Sequence, residues 1–132
     1  MQLSTYLRTV LKIDSASCLA MAAILIPAAA MLEGPTGIAA AMLRASGIAL
    51  IPLGAFILWL GTRREAPAGL VWLVIVGNIG WTAASLAAAS SLPQITPAGY
   101  FLVIGQGLAV LLLAYLEWRG LRSSQLIQGA GA

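Results

Sequence analysis

The sequence predicts an all-α polytopic membrane protein, an up-down bundle of four antiparallel transmembrane helices. The first observation behind this prediction is composition: 61% of the 132 residues are hydrophobic and 8% are charged, whereas a soluble domain carries about 25% charged residues. The second is distribution, because nearly all the charge lies in short patches between four long apolar runs. Each run is near the roughly 20 residues that a helix needs to cross a bilayer.

The four predicted spans cover, in chain order, residues 13–32, 38–60, 70–92 and 97–118. Short connections make consecutive helices antiparallel neighbours, so we expect one transmembrane domain over residues 1–122. Span one follows Arg8 and Lys12 and ends in small residues, as a cleavable signal peptide does, but Asp14 and the length of the run favour a retained helix. Residues 123–132 are small, polar and glycine-rich, and we expect a disordered tail there.

Basic residues predict the orientation of the bundle. With four crossings, six of them fall on one side: Arg8, Lys12, Arg63, Arg64, Arg119 and Arg122. The opposite connections, residues 33–37 and 93–96, contain no Lys or Arg, and positive charge favours the cytoplasm. Trp59, Trp72 and Trp118 lie near the same ends of the spans, where an indole N–H stays hydrated. We therefore expect both termini in the cytoplasm.

Several classes of site are missing from the sequence. The chain has no histidine and one cysteine, Cys18, so the commonest ligands of haem, zinc and copper are lacking. There are no paired carboxylates within one apolar segment, no serine–histidine arrangement and no phosphate-binding glycine loop. The basic residues are dispersed and form no basic face, which argues against nucleic-acid binding. We expect no enzyme activity, no metal site and no cofactor.

Asn78 and Gln106 are the central polar residues of the predicted spans. They lie about nine residues into spans three and four from opposite sides, or about 13 Å at 1.5 Å per residue, so adjacent antiparallel helices bring them level near the bilayer midplane. Amides in hydrocarbon seek a partner, and we expect a hydrogen-bonded amide pair that sets the register of the bundle. The alternative is that both line a polar path for a substrate or ion.

Small residues beside these amides predict close helix packing. On span three, Gly77, Gly80 and Ala84 recur at spacings of three and four residues. On span four, Gly105 directly precedes Gln106. Small side chains let two helix backbones approach each other. The predicted contact is either within the chain or with a second copy.

Arg44 breaks the charge asymmetry, because it lies about a third of the way into span two from the non-cytoplasmic side. An arginine at this depth needs acceptors or must extend to the headgroups. One interpretation is a structural arginine that reaches the outer interface or pairs with Glu33 to hold the first hairpin. The other is an outward-facing pocket in which Arg44 binds an anion or carboxylate.

Two carboxylates lie near the cytoplasmic ends of the predicted spans. Asp14 is at the start of span one and Glu117 is at the end of span four. Several of the basic residues on that side are near them in the sequence or on the neighbouring connection. We expect hydrated ion pairs at the interface rather than proton coupling.

The whole chain resembles uncharacterised small four-helix membrane proteins of bacteria. The likeness is carried by Val71-Trp72, Gly77-Asn78, Trp81, Gly105-Gln106 and residues 116–122. It implies a bacterial inner-membrane protein and brings no known activity.

Residues 35–48 are also locally similar to a helix of small multidrug resistance transporters, which have four spans and act as dimers. This likeness covers less than a fifth of the chain and falls on the second helix, whereas that family carries it on the third. No residue matches the family's membrane-embedded glutamate on the first helix, and we treat the likeness as coincidental.

These observations favour a small inner-membrane protein without covalent catalysis, an accessory or binding subunit that acts through helix–helix contacts. The expected partners are the lipid bilayer and either a second copy or another membrane protein. The alternative is a small oligomeric transporter or channel whose polar path passes Asn78, Gln106 and Arg44. The two functions differ in whether these three side chains face one cavity.

Overall fold

The computed structural model describes residues 1–130, nearly all of them in four helices. The helices are α1 (Thr5–Thr36), α2 (Ala40–Thr62), α3 (Ala68–Ser90) and α4 (Pro97–Ala130). Each contains a stretch that is long and apolar enough to cross a membrane, and the described residues form no β-strand. The predicted all-α class with four membrane-spanning helices is confirmed.

The first helix begins well before the predicted start of span one. Ser4 caps it, because the Ser4 Oγ accepts a hydrogen bond from the backbone N–H of Leu7 at 3.1 Å, and a serine in this position satisfies a free N–H of the first turn. The helix ends at Gly37, whose φ of 68° is left-handed. A side chain at Gly37 would also collide with the backbone of Gln94, so the turn requires glycine.

The last helix continues through the segment that we expect to be a disordered tail. Ser124 is fully buried, and its Oγ accepts from the backbone N–H of Ser4 at 2.9 Å while it donates to the carbonyl of Gly120. Gly120 allows this contact because even a Cβ there would lie 2.9 Å from Leu7. Residues 123–130 are therefore helical, and residues 131 and 132 lie outside the described part of the chain.

Both ends of the chain lie at the same end of the bundle as the connection between α2 and α3. The backbone N–H of Leu3 donates to Arg64 at 2.8 Å, and that of Ala66 donates to Met1 at 3.0 Å. The Ser4–Ser124 contact adds the C-terminal part of α4 to the same end. We call this the terminal end of the bundle, and it carries the six basic residues that border the predicted spans.

The two remaining connections meet at the opposite end. The backbone N–H of Thr96 donates to the carbonyl of Thr36 at 3.0 Å, and the Thr96 hydroxyl donates to Pro35 at 2.6 Å. These contacts join the α1–α2 turn to the start of α4. The four helices consequently run alternately up and down, as the short connections predict.

The helices do not pack in a closed ring. The backbones of α1 and α2 pack along their length, α1 also packs on α4, and α4 packs on α3, but α2 and α3 scarcely touch. At the terminal end Leu3 and Leu7 lie in one core with Leu60 of α2 and Val71 of α3, so N-terminal residues occupy the space between these helices. The expectation that consecutive helices are neighbours holds for two pairs and fails for α2 and α3.

Glycines of α2 explain its close contact with α1. Gly47, Gly54 and Gly61 recur every seven residues, or two turns, and so lie on one face of the helix. An added Cβ would lie 2.9 Å from the side chain of Ile26 at Gly47, 2.9 Å from Leu19 at Gly54 and 3.2 Å from Leu11 at Gly61. This seven-residue spacing is visible in the sequence, but our prediction did not use it.

The glycines that we expected at helix contacts lie elsewhere. A Cβ added at Gly77, Gly80 or Gly105 would meet no atom within 4 Å, and Ala84 is exposed on α3. Within the described chain these residues make no close helix contact, and the alternative, a contact with a second copy, stays a prediction. They lie on surfaces that the neighbouring helices leave uncovered.

We predict that Gly54→Val destabilises the bundle, because the added atoms overlap Leu19 and push α1 and α2 apart. Overpacking of this kind costs about 1–3 kcal/mol. Gly80→Val is the matched control, because it makes the same change at a glycine where an added Cβ meets no atom within 4 Å. Thermal unfolding in detergent, followed by helical circular dichroism, should show a lower melting temperature for Gly54→Val alone; equal effects of the two changes would contradict the α1–α2 packing described above.

Candidate functional site

Three polar side chains meet in the interior of the bundle, and we call them the interior cluster: Asp14 of α1, Asn78 of α3 and Glu117 of α4. They are 1%, 8% and 0% exposed. Long acidic side chains are almost never fully buried unless they are paired. Such a group inside a membrane span marks a functional site unless a structural partner explains it.

Asn78 joins the two carboxyl groups. Its Nδ2 donates to Oδ2 of Asp14 at 2.8 Å and to Oε2 of Glu117 at 3.2 Å. The amide therefore uses both of its N–H bonds on acids from two other helices. Because one nitrogen reaches both carboxyl groups, the acids lie beside each other in the interior.

The positions of these residues along the helices explain why they are buried. Asp14 lies on the buried face of α1, and Glu117 lies on the buried face of α4. The other buried residues in these two rows are, on α1, Leu7, Val10 and Leu11 and, on α4, Leu113, Ala114, Leu121 and Ser124. Spacings of three and four residues place each row on one helix face. Each acid thus occupies a core position, a signal that the sequence contains.

The cluster is deep in the bundle. Asn78 is ten residues from the start of α3 at Ala68, or about 15 Å at 1.5 Å per residue. Since α3 has 23 residues and spans about 35 Å, Asn78 and the acids that it binds lie near the middle of that helix.

The prediction of hydrated ion pairs at Asp14 and Glu117 is wrong. The predicted span one began at residue 13, which put Asp14 at the membrane surface, whereas α1 begins at Thr5 and carries Asp14 inward. Within residues 1–130 neither acid forms an ion pair with Lys or Arg. Lys12 and Arg119, the nearest basic residues on the same helices, are exposed.

The remaining surroundings of the acids are uncharged. The thiol of Cys18 lies 3.8 Å from Oδ1 of Asp14 and can donate to it. From α2 the nearby residue is Gly54, whose added Cβ would lie 3.2 Å from the Cβ of Cys18. The acids therefore have an amide and a thiol as donors, and in the described part of the chain neither acid is paired with a cationic side chain.

Two cavities lie between α2 and α3, along the side where these helices scarcely touch. The near cavity has a volume of about 300 Å³ and is lined by Cys18 and Asn78, among others. The far cavity has a volume of about 260 Å³. Both are lined by Trp81 and Gln106, so the cavities adjoin at these residues; we call the two together the groove and each of them a chamber. Because Cys18 and Asn78 bind the acids and also line the near cavity, the interior cluster lies directly behind its wall.

The predicted amide pair is not formed. Gln106 accepts from the indole N–H of Trp81 at 3.2 Å and donates to the carbonyl of Val103 at 3.0 Å, while Asn78 binds the two acids. Both amides nevertheless line the near cavity. Two carboxyl groups lie within hydrogen-bond distance of the Asn78 amide, while Gln106 is bound to Trp81 and Val103, so the two amides do not pair.

Arg44 and Glu33 lie outside this site. Both side chains are exposed, and among residues 1–130 they form no ion pair with each other. Arg44 lines neither cavity. The structure therefore brings together Asn78 and Gln106 of the predicted binding residues and leaves out the other two.

Comparison with known protein families, with characterised proteins and with solved structures gives no match to this chain.

We predict that Asn78→Leu lowers the free energy of unfolding by about 1–3 kcal/mol or more, because two buried acids lose their shared donor. Gln106→Leu should cost less, about 0.6 kcal/mol, as is usual for polar contacts between membrane helices. Thermal unfolding of the single and double variants measures the coupling between sites. Asn78→Leu should be coupled to Asp14→Ala and additive with Gln106→Leu; coupling to Gln106→Leu instead would support the amide pair.

Proposed function

We propose that this protein is a small membrane transporter whose interior cluster binds a proton or a small monovalent cation. One observation carries the proposal: two buried acids share a single amide donor, and within residues 1–130 no cationic side chain pairs with them. Two uncompensated carboxylates in the interior would cost several kcal/mol each. A bound proton or cation supplies the missing positive charge.

The groove between α2 and α3 supports transport over a purely accessory role. An accessory subunit that works through helix contacts needs no charged interior and no cavity beside it. Here Asn78 and Cys18 contact the acids and also line a cavity of about 300 Å³. A charge-binding site next to a ligand-sized space is the arrangement that a coupled carrier requires.

An accessory role remains the second candidate because of the uncovered small residues of α3. Gly77 and Gly80 have open space beside them, and Ala84 is exposed. Small residues on a free helix face permit close contact with another membrane helix. Gly77 and Ala84 also line the two cavities, so a second copy packed on this face would cover the groove.

We also propose that the protein lies in a bacterial inner membrane with its terminal end in the cytoplasm. The support is the distribution of charge: the terminal end carries the basic residues that border the spans, and the opposite connections contain no Lys or Arg. The guanidinium carbon of Arg63 lies 4.7 Å from the ring centroid of Trp59. That of Arg122 lies 5.2 Å from the ring centroid of Trp118. Aromatic and basic residues together are typical of the membrane–water interface.

The proposed cation site predicts a measurable bound charge. In lipid-reconstituted protein near neutral pH, infrared absorption should show a protonated carboxyl carbonyl that is absent from the Asp14→Asn, Glu117→Gln double variant. If a metal cation supplies the charge instead, the melting temperature should rise with Na⁺ or K⁺ at constant ionic strength, again only with the acids present.

Glu33→Gln is the matched control, since it removes an exposed carboxyl group and should change neither readout. A wild-type protein with no protonated carboxyl group and no response to either cation would contradict the proposed function.

Orientation is tested by cysteine labelling in a Cys18→Ser background. A membrane-impermeant maleimide should modify Pro93→Cys in intact spheroplasts and Arg64→Cys only after permeabilisation, because the two exposed residues lie at opposite ends of the bundle. Labelling of both from one side would contradict four crossings, and the reversed pattern would place the terminal end outside.

A further inference from the structure

The groove between α2 and α3 opens sideways, towards the region that lipid occupies. These two helices scarcely touch, and Leu53 of α2 and Leu73 of α3, which line the near cavity, are both exposed on the side of the bundle. Its floor is formed by α1 and α4, through residues such as Met21 and Gln106 that line both chambers. A molecule dissolved in the bilayer can therefore reach the near cavity without crossing the polar ends of the bundle.

The side chains that line the near cavity favour a ligand with an apolar body. Leu50, Leu53, Ile57 and Val74 contribute aliphatic surface, and Phe56 and Trp81 contribute aromatic surface. The polar lining residues come from α1, α3 and α4, and none comes from α2. They are Ser17, Cys18, Asn78 and Gln106. This is the composition of a ligand pocket, in which apolar surface binds the body and a few polar groups orient one end.

The charges around the cavity select a positive head group. No Lys or Arg lines either chamber, while the carboxyl groups of Asp14 and Glu117 lie directly behind Asn78 and Cys18. Coulomb attraction is strong in an interior of low dielectric constant. An anion in the cavity would be repelled by the same groups.

We propose that the near cavity binds an apolar amine in its protonated form, taken up from the bilayer, with the ammonium group against Asn78 and the hydrocarbon body among Phe56, Ile57 and Trp81. The ammonium group has hydrogen-bond donors to offer, and Ser17, Asn78 and Gln106 in the cavity lining carry oxygen acceptors. The inference rests on the proposed function, since it requires the interior cluster to carry net negative charge when the ligand is bound.

The test compares three ligands with one body and different head groups: 4-phenylbutylamine, 4-phenylbutanol and 4-phenylbutyrate. Binding to detergent-purified full-length protein is measured from the concentration dependence of the melting temperature. The amine should bind at least about tenfold more tightly than the alcohol, because only the amine is attracted by the acids. The carboxylate should bind most weakly.

Two glycines of α3 provide matched variants for locating the site. Gly77 lines the near cavity and Gly80 lines neither, and a Cβ added at either meets no atom within 4 Å. Gly77→Leu fills the cavity and should weaken binding of the amine at least about tenfold. Gly80→Leu should leave it unchanged. Both variants are expected to fold, so the comparison does not depend on changing the cluster.

In the Asp14→Asn, Glu117→Gln double variant the amine and the alcohol should bind equally. Equal binding of the two ligands to the wild-type protein would overturn the inference and indicate a slot for lipid chains. Equal weakening by Gly77→Leu and Gly80→Leu would also overturn it, and would place the ligand or a second copy on the outer face of α3. The infrared and cation measurements use no amine, so failure of the ligand site and failure of the cation site are distinguishable.

Discussion

The hydrogen bonds from Asn78 to Asp14 and Glu117 are the interaction on which the interior of this bundle depends. The backbones of α1 and α3 do not approach each other, so Asn78 connects helices that lie diagonally across the bundle while it also reaches α4. In hydrocarbon each of these groups would be costly alone. Together they form one hydrogen-bonded cluster of two carboxyl groups and an amide, without a cationic partner among residues 1–130, and this lack of a countercharge is what suggests a bound proton or cation.

The open side of the bundle follows from the unequal packing of its helices. Glycines at seven-residue intervals bring α2 against α1, and the N-terminal residues pair with the connection between α2 and α3. With α2 packed on α1 and α3 on α4, the backbones of α2 and α3 scarcely touch, and the N-terminal residues fill the space between them at the terminal end. The cavity beside the interior cluster is a consequence of this arrangement, and so the packing of the helices and the candidate site have one origin.

The predicted binding residues show how far sequence patterns lead in a protein of this kind. Asn78 was identified because a polar residue in an apolar run is conspicuous. Asp14 and Glu117 were placed at the interface because hydropathy put the span boundaries beside them, although each occupies a core position in a row of residues spaced by three and four. The predicted partner of Asn78 is wrong for a related reason. With both acids predicted at the membrane surface, Gln106 is the polar residue that the sequence places at the depth of Asn78.

The sequence by itself determined that four helices cross a membrane, because length, apolar composition and short connections leave a chain of this size no other way to satisfy its backbone in lipid. It also determined which ends of the helices carry the basic residues. Only the tertiary structure decided which polar groups share the interior and where a cavity remains. Those outcomes depend on helix starts, helix rotation and glycine contacts between distant segments, and a shift of a few residues along a helix moves a carboxyl group from water to the centre of the bundle.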